Sequence, residues 1–242
     1  MGLRSFLEKI SRGVVLKRRL PVAFENKEIY VAPEIGGLKY WRFDLSKADP
    51  ELLELVKTHI KPGNVVWDIG ANLGLFTFSS AVQVGKTGQV LTVEPDAEVL
   101  QLLQKTKRKN LDLNVSIIAG AVSNEVGVAK FNIAERARTT NFLDGVGGST
   151  QTGGVRFTVH TLTVTLDFLA QHFPMPDFLK IDVEGAELMV LQGGDRVLSE
   201  KKPIIWCEVY ERSLEGVKAI LNKHGYTNIQ VIGENILALP PG

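Results

Sequence analysis

Four residues that could hold a ligand fall within seven positions of one another: Asp68, Gly70, Asn72 and Gly74, in the run DIGANLG. Glu94 follows 20 residues after Gly74. A second acidic group comes later. KIDVEGAE carries Asp182, Glu184 and Glu187, and WCEVY carries Glu208. The first set has the chemistry of a cofactor loop, because glycine lets a ligand approach the backbone and an acid accepts hydrogen bonds from a ribose diol. The second set has the chemistry of an acceptor site. Two carboxylates at adjacent strand ends can take a proton as a general base, or hold a hard cation such as Mg²⁺ or Ca²⁺. For Glu187 the favoured reading is simpler, an acid that stabilises the first turn of the following helix.

Three cofactor classes compete for the loop. A nucleoside triphosphate loop needs G-x-x-x-x-G-K-[ST], and neither the lysine nor the hydroxyl is present. A dinucleotide loop wants G-x-G-x-x-G, but Asn72 takes the middle-glycine position, and Asp68 is a poor neighbour for a diphosphate. S-adenosylmethionine carries an ammonium that an acid can hold, and its carboxylate can face a helix N-terminus. Glu94 suits the ribose of either S-adenosylmethionine or NAD. The alternatives to a methyl-transfer enzyme are therefore an NAD-dependent oxidoreductase and a non-catalytic module that keeps the cofactor fold.

The elements around these residues alternate. VVWDI reads as a strand buried on both faces, Leu73 to Val84 as a helix, and QVLTVEP as a second strand. Asp96 caps a helix to about Asn110, and NVSIIAGAV is a third strand. VGVAKFNIA and VRFTVHTLTV then form an antiparallel excursion around the Gly- and Thr-rich loop Arg138 to Gly154, a candidate lid over the acceptor. Alternation resumes with the strand DFLKIDVEG, a helix over Ala186 to Leu198, the strand PIIWCEVY, and a helix over Leu214 to His224. YTNIQVI and NILALP close the chain as two strands. This order predicts an α/β fold: a doubly wound, mostly parallel sheet with one antiparallel strand near an edge.

Upstream, Leu3, Phe6, Leu7, Ile10 and Val14 at helical spacing predict a basic helix within residues 1–20. The favoured reading packs it on the domain; the other is a membrane-surface or partner helix. KEIYVAP and LKYWRFDL read as short strands or an extended pre-domain segment, and Asp49-Pro50 opens a helix to His59. Residues 1–60 are thus expected to form an N-terminal segment packed on a domain of residues 61–242.

Net charge is +1, so nothing supports nucleic acid as a partner, although residues 1–20 hold +5 and the remainder −4. The lone Cys207, in an apolar strand, is expected to pack and forms no internal disulfide. No apolar run reaches the roughly 20 residues of a membrane span, and no signal-peptide core is evident, so a cytoplasmic location is expected.

VVWDIGANLGLFTF, VEPD, TLTVTLDFL and FLKIDVEGAE, in that order, resemble the FkbM family of S-adenosylmethionine-dependent methyltransferases over roughly residues 60 to 210. The resemblance implies a Rossmann-like seven-stranded sheet with one antiparallel strand, and mainly O-methylation of small molecules or sugars. It also implies that Asp68 and Gly70 meet the methionine part, that Asn72 and Gly74 shape the loop, and that Glu94 holds the ribose. Ala121 and Val122 would lie against adenine, and Asp182 near the methyl-transfer centre. The expected partner is a small-molecule or glycan acceptor.

Overall fold

The computed structural model describes residues 13–135, 138–146 and 152–241. The helical pattern of Leu3, Phe6, Leu7 and Ile10 lies outside the described residues. Where the basic segment is described it is extended. Strand β1 (Leu16–Arg19) pairs antiparallel with β2 (Glu28–Val31), so the predicted helix does not run to residue 20. LKYWRFDL is not a strand either. The extended path ends at Val31; Pro33–Gly36 is a short helical turn that stops at Gly37, at φ +86°, and Leu38–Trp41 and Leu45–Lys47 are short 3-10 turns with Tyr40 buried. Helix α1 (Pro50–His59) starts as expected. Asp49 accepts a hydrogen bond from the Leu52 N–H at 3.2 Å, and Pro50 sits in the first turn.

Strand β3 (Val65–Ile69) leads into helix α2 (Leu75–Val84), then β4 (Gln89–Glu94), helix α3 (Ala97–Lys109) and β5 (Val115–Ala119). The expected third strand splits at Gly120, whose φ is +157° and where a side chain would sit 3.0 Å from the Leu162 carbonyl oxygen. Beyond it β6 (Ala121–Val122) joins a second sheet with β7 (Gly127–Ala134), β8 (Phe142–Leu143) and β9 (Val155–Val164), in the order β6-β9-β7-β8. The main sheet resumes with β10 (Phe178–Ile181), helix α4 (Glu187–Gln192), β11 (Ile204–Glu208), helix α5 (Glu211–Lys223), β12 (Asn228–Ile232) and β13 (Asn235–Leu239).

The seven strands lie in the order β12-β13-β11-β10-β3-β4-β5. Strand β13 is antiparallel to both neighbours, and the other pairings are parallel. The chain winds outward from β3 to β5, then restarts on the other side with β10. The β3–β10 boundary is therefore the topological switch, and a ligand crevice opens at the carboxyl ends of those strands.

Two apolar layers cover the sheet. Trp67, Ile69, Leu179, Ile181, Ile205 and Cys207 pack on one face with helices α4 and α5. Val66, Phe178 and Trp206 pack on the other with α1, α2, α3 and the N-terminal segment. Side chains alternate along a strand. Asp68, Lys180, Glu208 and Glu94 thus point to the second face, where residues 33–52 lie over them. Among the described residues, no helix is long and apolar enough to cross a membrane.

Candidate active site

A cavity of about 250 Å³ opens at the switch point. Gly70, Asn72 and Glu94 line it, as do Ala121, Val122, Asp182 and Glu208. The two loops that leave β3 and β10 touch beneath it. The Asp182 N–H donates to the Ile69 carbonyl at 3.0 Å. Gly70 has φ +81°, and a Cβ there would lie 1.8 Å from the Asp182 carbonyl oxygen. Only glycine fits this approach. Asn72 is also left-handed, at φ 49°, a conformation asparagine tolerates. Its side-chain oxygen accepts from the Leu73 N–H at 2.7 Å, which helps hold the loop. Gly74 does not border the cavity. It precedes α2 at φ +80°, packed against Phe78 and Leu103.

Glu94 is only 6% exposed. One carboxylate oxygen accepts from the Asn72 N–H and the other from the Asp96 N–H, both at 2.9 Å. Burial outweighs those two bonds and pushes its carboxyl up to about 7. Each oxygen keeps a lone pair for a hydroxyl donor in the cavity.

Asp68 stands elsewhere than the sequence suggests. It lies under the floor of the cavity with no exposed area. It accepts from the Thr77 hydroxyl at 2.5 Å and from the Lys180 ammonium at 3.2 Å. Direct contact between Asp68 and a ligand ammonium therefore does not fit this geometry. Lys180 is the residue that sequence reasoning passed over. It is the register partner of Asp68 across β3 and β10. Its ammonium also donates to the Gly70 carbonyl at 3.1 Å and lies 3.3 Å from Asp182. Burial opposes its charge, but Asp68 and Asp182 prevail and raise its pKa. The signal was a lysine inside the apolar strand FLKI, in step with an acid on the neighbouring strand.

Asp182 and Glu208 come together at adjacent strand ends and share a hydrogen bond. The Asp182 charge, then burial, raises the Glu208 carboxyl to about 9. Glu184 borders the cavity, accepts from the Tyr210 hydroxyl, and is raised to about 8 by burial. Glu187 lies apart from the cavity, 1% exposed, and accepts from the Gly185 N–H at 2.8 Å beside the start of α4. Burial raises its pKa. Cys207 is buried and free, and burial pushes its thiol well up, which leaves it inert.

A divalent cation is not supported. Among the described residues no group of three or more His, Cys, Asp or Glu side chains could hold one. The physical reason is local: the Lys180 ammonium, 3.3 Å away, already supplies positive charge at Asp182.

The segment expected to act as a lid is described only in part; residues 147–151 lie outside the described residues. Arg138, Asn141 and Leu143 form a wall of the cavity. Arg138 and Asn141 both donate to Asp96 at 2.7 Å, two residues from Glu94. Residues 33–52, not expected at the site, supply Gly36, Lys39, Tyr40, Asp49 and Leu52 to it.

S-adenosylmethionine fits these residues. Gly70, Ala71 and Asn72 line the cavity, and Glu94 offers acceptors for a diol. Val93, Val99, Ala121, Val122 and Phe131 give apolar walls for a flat base.

A methyltransferase FkbM domain model matches residues 68–227. The hexuronic acid methyltransferase AglP of Haloferax volcanii is 22% identical over 165 residues, covering 68% of this chain and 64% of AglP. The chain therefore spans less than two thirds of that relative's length. The crystal structure of methyltransferase FkbM from Methylobacillus flagellatus KT is similar in fold, with a TM-score of 0.52 at 18% identity, over 77% of this chain and 50% of that one. Fibrillarin of Aeropyrum pernix, solved with natively bound S-adenosyl-L-methionine, gives a TM-score of 0.47 at 14% identity, over 75% of this chain and 68% of that one.

Proposed function

The chain belongs to the FkbM family of S-adenosylmethionine-dependent methyltransferases, and on that premise we propose that it methylates a hydroxyl of a small molecule or glycan. The observation that carries the reading is the carboxyl pair Asp182–Glu208, brought together at adjacent strand ends on the cavity wall beside the buried Lys180. The cofactor would supply an electrophilic methyl group on a sulfonium. The chain's own tasks are then to hold the acceptor oxygen in line, exclude water and take its proton. Asp182 suits the last task. It borders the cavity, with the Lys180 ammonium 3.3 Å away. Glu208, protonated, can donate a hydrogen bond to the acceptor or to Asp182 and so fix which lone pair faces the hydroxyl. Glu94 and the loop from Gly70 to Gly74 hold the ribose and methionine parts, with Ala121 and Val122 beside adenine. Lys180, rather than Asp68, contacts the loop carbonyl and sets the shape of that end.

A glycan acceptor is supported by the named substrate of AglP. The dinucleotide oxidoreductase is not favoured, because the family match covers the loop itself. Transfer of labelled methyl from S-adenosylmethionine to a panel of monosaccharides and oligosaccharides tests the reading. Asp182→Asn should reduce turnover by about 10²–10⁴-fold, the usual worth of a general base. Undiminished turnover in both Asp182→Asn and Glu208→Gln would remove the catalytic assignment. Cofactor binding with no transfer to any acceptor would favour the non-catalytic module.

A further inference from the structure

A second cavity, of about 140 Å³, adjoins the first and shares Lys180, Asp182 and Glu208 with it. Its remaining walls are Asp49, Glu51 and Leu52 at the start of α1, Trp206, and Asn235 at the start of β13. Asp49, Glu51, Leu52 and Asn235 all lie outside residues 68–227, the part that matches the family. These walls thus come from segments outside the matched domain, and they meet the proposed base at Asp182.

The polar groups here are mostly hydrogen-bond acceptors. Asp49, Glu51, Asp182 and Glu208 offer carboxyl oxygens, and Asn235 offers both an acceptor and a donor. The cations are already engaged. Lys180 is held between Asp68 and Asp182, and Lys39, on the far side of Asp49, pairs with that residue at 3.2 Å. A guest rich in hydroxyls finds partners for its O–H groups. A guest with a carboxylate meets four carboxyl side chains and no uncommitted cation, which selects against it.

We propose that this second cavity is the acceptor site, and that it takes an uncharged or amino-bearing hydroxylated ring in preference to one that carries a carboxylate. The inference rests on the methyltransferase reading above. It makes Asp49 and Glu51 specificity-determining residues, and it places the acceptor hydroxyl against Asp182.

Three rings that differ in one group test it: methyl β-glucoside, its 2-amino-2-deoxy analogue, and methyl β-glucuronide. Each is titrated into protein saturated with S-adenosylhomocysteine at low ionic strength. The ¹⁵N-indole signal of Trp206, assigned with Trp206→Phe, reports binding. The glucoside and the amino sugar should shift that signal, and the glucuronide should bind at least tenfold more weakly. Asp49→Asn with Glu51→Gln should narrow the gap to less than threefold. Asparagine also caps helices, so α1 should survive this change, and an unaltered melting temperature checks it. A glucuronide that binds as tightly as the glucoside overturns the proposal. So does a Trp206 signal that responds to neither the glucoside nor the amino sugar while S-adenosylhomocysteine binds. Failure of S-adenosylhomocysteine itself to bind would instead remove the methyltransferase reading, and the proposal with it.

Discussion

Lys180→Met should expose how the site is held together. Lys180 is 5% exposed and Asp68 is fully buried, 3.2 Å apart, with Asp182 and the Gly70 carbonyl as the other partners of the ammonium. Loss of the ammonium leaves Asp68 with the Thr77 hydroxyl alone. Removing one member of a buried ion pair costs about 3–5 kcal/mol, because the partner charge stays buried. Asp68→Asn leaves Lys180 with Asp182, so its cost should be smaller, about 1–3 kcal/mol. In the double variant no charge is stranded beneath the cavity. Its loss should fall short of the sum of the single losses by at least about 1.5 kcal/mol, within the range of coupling for residues in contact. Urea unfolding of all four proteins at pH 7 measures the cycle. That pH is safe for the lysine. Its folded-state pKa is raised, so its contribution is fully present below its unfolded value of about 10.4 and is lost only as pH rises through the higher folded value. A Lys180→Met cost below about 1 kcal/mol, or additivity within about 0.5 kcal/mol, would refute the reasoning.

Other consequences follow from the same geometry. Glu94, raised from 4.5 to about 7 by burial, holds a proton in the folded state that the unfolded chain has released. Its contribution is therefore complete below pH 4.5 and is lost as pH rises to about 7, a change on the order of 3 kcal/mol that Glu94→Gln should flatten in pH-dependent unfolding. A wild-type profile with no such fall would mean that the carboxyl is not desolvated. Gly70→Ala forces a side chain into the Asp182 carbonyl at φ +81°, so it should cost more than about 2 kcal/mol and abolish binding of S-adenosylhomocysteine. A melting curve and a titration like those of the wild type would show that the two loops are not in contact.

Much of this was legible in the sequence. The strand–helix alternation, the caps at Asp49 and Asp96, and the glycines of DIGANLG are local signals that the structure bears out, although the helix expected from Ala186 to Leu198 ends at Gln192, before Gly193 and Gly194. What failed depended on contacts across the chain. Asp68 looked like a ligand residue because nothing in one strand says which residue of another lies beside it; the register that sets Lys180 opposite it is a property of the sheet. LKYWRFDL carries strand-forming residues, yet Gly37 turns it over the cavity and Tyr40 is buried there. NVSIIAGAV reads as one strand, but Gly120 passes its last two residues to the second sheet. The pair Asp182–Glu208 was legible as a pair, while the raised pKa of Glu208 depends on the nearness of the Asp182 charge and on burial, which only the packed structure supplies.

The central claim is that the cavity between Gly70 and Glu94 holds an adenosyl amino acid. Calorimetric titration with S-adenosylhomocysteine, on the wild type and on Glu94→Ala, tests it most directly. The account predicts micromolar affinity, about −8 kcal/mol, that weakens at least tenfold in the variant. No heat of binding from folded, ligand-free protein, or equal affinity in the two proteins, would contradict it.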